Sequence, residues 1–169
     1  MSFSKTNSPV ALFDASFVGN HAHAGGAVFM GAGNGNGLVE AITTGVIKFV
    51  RTTMVNNAAS ANGGSLYMSS MNALTLDTIT ATGSRAGGSG GFAYLDSKNY
   101  LLLKAATVAN SAASSGGGAF YTYIQNSLKF TGDCAVAGSQ SVGDQVCSQC
   151  QVRTRPIARA TAGPGANRF

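Results

Sequence analysis

Four consecutive segments of this chain, 41–67, 68–94, 95–121 and 122–148, lie over one another at a spacing of 27 residues without a gap. Their columns read Ile47, Leu74, Leu101 and Leu128, then Phe49, Leu76, Leu103 and Phe130, then Thr53, Thr80, Thr107 and Cys134. Two further columns hold Gly64, Gly91 and Gly118, and Tyr67, Tyr94 and Tyr121. A fixed period of this length belongs to a solenoid, a propeller or an array, because each unit buries its apolar side only against its neighbours.

The residues inside the period decide between a helix pair and a β-coil. Ile47-Lys48-Phe49, Leu74-Thr75-Leu76, Leu101-Leu102-Leu103 and Leu128-Lys129-Phe130 place apolar side chains two apart, which is the period of a strand. Each of the first three units also carries adjacent glycines before a short aromatic run: Gly63-Gly64-Ser65-Leu66-Tyr67, Gly90-Gly91-Phe92-Ala93-Tyr94 and Gly117-Gly118-Ala119-Phe120-Tyr121. Two glycines in mid-unit would cost a helix about 2 kcal/mol. The reading is therefore all-β: a right-handed parallel β-helix of about five coils, with three short strands per coil and neighbouring coils about 4.8 Å apart.

Turn chemistry supports the corners. Asn72, Asn99 and Asn126, with Gly45 in the first copy, precede a strand; Asn56 and Asn110, with Gly83 between them, mark a second corner. Arg51 does not fit, since it shares the inward parity of Phe49 and Thr53, and a bend at that point is expected. The segment 13–40 reads as a variant coil, because Phe13, Phe17, Asn20 and Gly25-Gly26-Ala27-Val28-Phe29 match later landmarks. Phe13 stands 36 residues before Phe49 and Phe29 stands 38 before Tyr67; the surplus is assigned to the glycine-rich loop 31–37. The expected organisation is an N-terminal cap (1–12), the β-helix (13–148) and a basic, disordered tail (149–169).

Phe17-Val18-Gly19-Asn20 followed by Gly25-Gly26-Ala27-Val28 resembles the paired signature of the polymorphic outer membrane protein repeats, FxxN and GGA with an aliphatic fourth residue. Later coils keep part of it: Thr53–Asn56 and Thr107–Asn110 retain the Asn without the Phe, and Gly117-Gly118-Ala119-Phe120 approximates the second motif. The resemblance spans 13–148 and implies a pectin-lyase-like β-helix from a cell-surface protein. It leaves function open, since such folds carry both enzymes and adhesins.

Charge must be located before it is interpreted. The chain of 169 residues has a net charge of +5, but Arg153, Arg155, Arg159 and Arg168 lie in the tail, and residues 1–150 hold seven basic and six acidic groups. Nucleic acid is therefore not an expected partner of the β-helix. No run of 18 apolar residues is present, so no transmembrane helix is expected. The N-terminus is too polar for a signal peptide.

The candidate sites are few. Cys134, Cys147 and Cys150 cluster at the C-terminal end; Cys134 falls in the threonine column and Cys147 in the column of Leu66, Ala93 and Phe120, so both are expected to face inward. A disulfide among the three is the first reading. The Cys147–Cys150 spacing suits zinc, but structural zinc needs four ligands and no second pair is present. The resemblance adds a third reading, in which Cys147 and Cys150 begin a Cys-rich module. His21 and His23 flank Ala22, yet no carboxylate or third histidine is near them in sequence, and exposed turn histidines are expected. The glycine runs lack the Gly-Lys-Ser/Thr of a phosphate loop and the Asp of calcium nonapeptides.

Lyase or hydrolase chemistry needs clustered carboxylates. Asp14, Glu40, Asp77, Asp96, Asp133 and Asp144 are scattered, and among the in-register repeats no two share a column in adjacent coils. Asp77 stacks beside Lys104 in the next coil as an exposed pair. Thr78, Thr80 and Thr82 alternate as an ice-binding array would, but Arg51/Thr53/Val55 and Ala105/Thr107/Ala109 flank them, so two of three columns are one coil deep.

The expected function is a non-enzymatic scaffold, a segment of an adhesin-like surface or extracellular protein, with glycans or other surface proteins as partners and no cofactor, metal or catalytic residue. The alternative is a carbohydrate-binding or polysaccharide-degrading β-helix fragment. End-to-end self-association through open strand edges is a further expectation.

Overall fold

The computed structural model describes residues 1–4, 9–33 and 47–141. Glu40, Gly45, Asp144, Cys147, Cys150, the tail and the 34–37 part of the glycine-rich loop lie outside these residues. Among the described residues there are twenty strands and no helix, so none is long and apolar enough to cross a membrane.

The strands form four five-stranded parallel sheets. Sheet A joins Ser2–Phe3, Val28–Met30, Leu66–Ser70, Ala93–Ser97 and Phe120–Ile124. Sheet B joins Val10–Phe13, Ile47–Val50, Ala73–Asp77, Tyr100–Lys104 and Ser127–Thr131. Sheet C joins Ser16–Val18, Thr53–Val55, Thr80–Thr82, Thr107–Ala109 and Ala135–Ala137. Sheet D joins the two-residue strands His21–Ala22, Ala58–Ala59, Arg85–Ala86, Ala112–Ala113 and Gln140–Ser141. The chain visits A, B, C and D in turn five times, which makes a parallel β-solenoid of five coils. Sheet D corrects the expected three strands per coil: its strands are too short to show any apolar alternation. Pairing also reaches back to Ser2–Phe3, on Phe29 and Met30, within the segment assigned to an N-terminal cap.

Each corner that lies wholly within the described residues is closed by one residue in the left-handed conformation, with φ between 46° and 71°. From A to B it is Met71, Lys98 or Gln125; from B to C, Asp14, Arg51, Thr78, Ala105 or Gly132. From C to D it is Gly19, Asn56, Gly83, Asn110 or Gly138, and from D to A it is Gly25, Gly63, Gly90 or Gly117. One such residue reverses the in–out alternation, and this accounts for Arg51. Its corner turns the chain, so Thr52 points inward and Thr53 outward, and the threonine column lies on the outside rather than in the core. At the C-to-D corner, the amide oxygen of Asn56 occupies the space that a Cβ on Gly83 would need, and Asn110 stands in the same way over Gly138. Glycine and asparagine therefore alternate there from coil to coil.

A β-branched residue in this conformation is strained by about 1–2 kcal/mol. Thr78, at φ 56° and exposed, is the clearest case. Thr78→Asn should raise stability by roughly 1 kcal/mol, since Asn visits this region at lower cost; a denaturant titration with an unchanged slope and a later midpoint is the expected result.

The interior is a set of apolar ladders. Ile47, Leu74 and Leu101 stack in one, and Phe49, Leu76 and Leu103 in the next, all at most 1% exposed. Phe49 also meets the rings of Phe3 and Phe17, each at 6.2 Å. Bulk is exchanged between neighbouring columns: Phe92-Ala93 in one coil faces Ala119-Phe120 in the next, and the two phenyl rings meet edge to face at 5.4 Å. Fully burying each such side chain is worth about 1.5–3 kcal/mol.

Two irregularities are absorbed without losing register. In the first coil Leu12 pairs with Phe49 and Phe13 with Val50, a step of 37 residues in sheet B, and Phe13 lies outside at 60% exposure. Phe13 is thus not the landmark partner of Phe49; Leu12 is. In the last coil one extra residue sits between Thr131 and Ala135, so Thr107 pairs with Ala135 and not with Cys134. Cys134 stands instead beside Ala106, whose N–H donates to its Sγ at 3.4 Å. It does face the core, but through this one-residue shift and not through the threonine column.

Candidate functional site

The polar residues of the repeat divide into those that hold coils together and those that face outward. Asn72, Asn99 and Asn126 are not themselves in the left-handed conformation; the residue before each of them is. Their side chains form an internal ladder. Asn99 Oδ1 accepts from the N–H of Asn72 at 3.0 Å and from its Nδ2 at 3.1 Å, while Asn99 Nδ2 donates to the carbonyls of Ser69 at 2.7 Å and Met68 at 3.2 Å. Asn126 repeats the arrangement one coil on, with Oδ1 accepting from Asn99 N–H at 2.9 Å.

The FxxN motif has a similar physical meaning. Phe17 packs on Phe49, and Asn57 Oδ1 accepts from Asn20 N–H and Nδ2 at 3.1 and 2.9 Å. The counterpart of Asn20 is therefore Asn57, with Met54 in the place of Phe17, and not the corner residue Asn56. In later coils Ser84 and Ser111 occupy this buried column, and Ser84 shares a hydrogen bond with Ser65 at 2.6 Å.

The charged groups are dispersed over the surface. Arg51 makes a two-pronged contact with Asp14 at 2.7 and 2.8 Å, and the hydrogen bonds hold the Asp14 carboxyl below the usual range and the guanidinium above it. Both side chains are exposed, so the pair contributes little to stability. Asp77 does lie beside Lys104 in register, but its ion pair is with Lys48 in the preceding coil, at 3.2 Å. His21 and His23 are exposed, the first with Nδ1 3.2 Å from the Gly19 carbonyl and the second with Nδ1 3.2 Å from Ser60 Oγ. Among the described residues no three His, Cys, Asp or Glu side chains come together as metal ligands would. The pairing expected among Cys134, Cys147 and Cys150 falls on two residues outside the described ones.

Two outward faces remain as candidate surfaces. On sheet A, Phe29, Tyr67, Tyr94 and Tyr121 stack ring on ring, with centroids 5.3, 5.3 and 5.2 Å apart and planes within 7° of parallel. The tyrosines were visible in sequence as a column, and Phe29, matched to Tyr67 across 38 residues, pairs with it as expected. Such pairs add about 0.5–1.5 kcal/mol each beyond burial. Tyr67 and Tyr94 have a ring against both faces, so the ladder acts first as an external staple.

Burial, with nearby Asp96 and the neighbouring tyrosines, pushes the Tyr94 phenol up to about 12 from an ordinary value of 10.0. Burial and Asp96 also push up Tyr67. A phenol whose pKa is raised on folding binds its proton more tightly in the folded state. Its stabilising contribution is complete below the ordinary value and is lost as pH rises through the folded one. The melting temperature should therefore fall as pH is taken from 10 towards 12, with phenolate absorbance developing over the same range; Tyr94→Phe should flatten part of that fall.

On sheet C the outward side chains form two columns in register: Ser16, Thr53, Thr80, Thr107 and Ala135, and Val18, Val55, Thr82, Ala109 and Ala137. None is charged, and all are exposed or partly exposed. Thr78 is not on this face; it is the corner residue.

Compared with known proteins, the chain matches no family model, no curated protein and no solved structure.

Proposed function

We propose that the chain is a non-enzymatic β-solenoid scaffold, a segment of a cell-surface or extracellular adhesin-like protein that offers its sheet faces to its partners. The observation that carries this reading is where the reactive groups are used. Asp14 and Asp77 are engaged by Arg51 and Lys48 of neighbouring coils, and the buried amides are consumed in coil-to-coil ladders. General acid–base chemistry needs at least two such groups converging on one substrate. The paired motifs at Phe17–Asn20 and Gly25–Val28, which resemble the polymorphic outer membrane protein repeats, support a surface location.

The tyrosine ladder favours the scaffold over a carbohydrate-binding fragment. Sugars pack on aromatic ring faces, and those of Tyr67 and Tyr94 are covered by other rings. A glycan array read beside a lyase assay on pectin and alginate tests the proposal. No turnover of either polymer is expected, and chain cleavage that scales with protein concentration would overturn the scaffold reading.

A further inference from the structure

The outer face of sheet C combines four properties. Its ten side chains are small or β-branched, and none of them is charged. They stand in two columns that keep register through both irregular coils: Ser16 pairs with Thr53 across 37 residues, and Thr107 with Ala135 across 28. One column is a hydroxyl row, Ser16, Thr53, Thr80 and Thr107. The other, Val18, Val55, Thr82 and Ala109, is a row of methyl groups, with Val18 60% exposed.

These properties fit an ordered lattice of water better than a protein. Successive coils repeat at about 4.8 Å and the two columns lie about 6.6 Å apart, so the face is a two-dimensional grid on the length scale of water spacings in ice. Methyl groups hold first-shell water in cage-like order without binding it, and evenly spaced hydroxyls can join that order by hydrogen bonds. A charged side chain would instead orient water around itself. The Asp14–Arg51 pair stands at the corner bordering the face and its two charges offset one another. The exposed Asp133 borders only the last coil, past the end of the hydroxyl row, and His21 and Arg85 lie on sheet D beyond the Gly/Asn corner. Two columns over five coils cover about 24 Å by about 10 Å. That is well under the roughly 800 Å² per partner of a standard protein interface.

We propose that the outer face of sheet C binds ice, with the ordered water of a growing crystal plane as its ligand. This goes beyond the scaffold reading and does not depend on it. The full chain, in dilute buffer, is examined for inhibition of ice recrystallisation and for shaping of single ice crystals, beside serum albumin at equal concentration. Thr80→Lys and Thr107→Lys place a charge in the hydroxyl row at exposed positions, and Arg85→Ala alters sheet D alone; circular dichroism checks that each variant is folded. The expected result is slowed recrystallisation and faceted crystals with the unaltered chain and with Arg85→Ala, and loss of both effects in the two lysine variants. Behaviour of the unaltered chain no different from albumin would overturn the proposal. So would activity that survives in folded Thr80→Lys and Thr107→Lys. Neither outcome bears on the polysaccharide assay, so the two readings fail separately.

Discussion

Gly91→Ala is expected to destabilise the chain by roughly 3 kcal/mol or more, enough to unfold a domain of ordinary stability. The reason is steric. A Cβ at this position would lie 2.7 Å from both the N and the carbonyl carbon of Ala112, and closer still to the carbonyl oxygen of Gly118 in the next coil. All three are backbone atoms, fixed by the pairing of the coils, so relief requires the coils to separate. Gly26, Gly64 and Gly118 stand in the same column and meet backbone in the same way. Gly19→Ala provides the contrast: nothing lies within 4 Å of a Cβ there, and only its φ of 63° opposes substitution. That variant should lose only about 1 kcal/mol. Urea titrations of the two variants decide the matter, and a smaller loss at Gly91 than at Gly19 would contradict close coil approach as the purpose of the second glycine.

Asn99→Ala should cost about 3–5 kcal/mol, through hydrogen bonds and not through volume. The side chain is 1% exposed and is the middle rung of the internal amide ladder. Its removal takes an acceptor from Asn72 N–H and Nδ2 and a donor from the carbonyls of Met68 and Ser69. Where water cannot enter, each lost partner costs about 1–3 kcal/mol. Asn126, the terminal rung, is only partly buried, so water can replace some of what Asn126→Ala removes. The expected order of thermal stability is therefore unaltered chain, then Asn126→Ala, then Asn99→Ala. Equal losses at the two positions would show that the ladder is not a buried, water-excluded structure.

The fold was legible because it depends on columns. The Leu, Phe, Gly and Tyr columns are properties of residue type at fixed spacing, and each was found where it was expected. The corners were legible only in part. Where they use Gly or Asn, as at Asn56, Gly83 and Asn110, sequence marks them; where they use Met71, Lys98, Arg51 or Ala105, nothing in the residue type announces a left-handed turn. That is why Arg51 looked misplaced and why the outward threonines were assigned to the core. Sheet D was invisible because two residues cannot display a period. The shift at Cys134 was hidden because one inserted residue leaves the strand before it unchanged and displaces only the residues after it.

The candidate surfaces were legible to a lesser degree. The tyrosine column was evident, but ring stacking depends on which side of the strand it faces, and that is set by the corner. The sheet C face was partly anticipated through Thr80 and Thr82, with Thr78 wrongly placed among them and the hydroxyl row from Ser16 to Thr107 not seen as a column of the exterior. The disulfide expected among Cys134, Cys147 and Cys150 involves residues beyond those described.

Parallel, in-register coil stacking underlies the ladders, the corners and both outward faces, and backbone nuclear Overhauser contacts on the uniformly labelled chain test it most directly. The expected result is a set of contacts linking Leu74 to Leu101 and Leu101 to Leu128 at steps of 27 residues, and Thr107 to Ala135 at a step of 28. The side-chain amide protons of Asn72 should also lie close to Asn99. Strong α-proton to α-proton contacts between strands adjacent in the chain, such as Ala73–Asp77 and Thr80–Thr82, would indicate antiparallel hairpins and would contradict the solenoid.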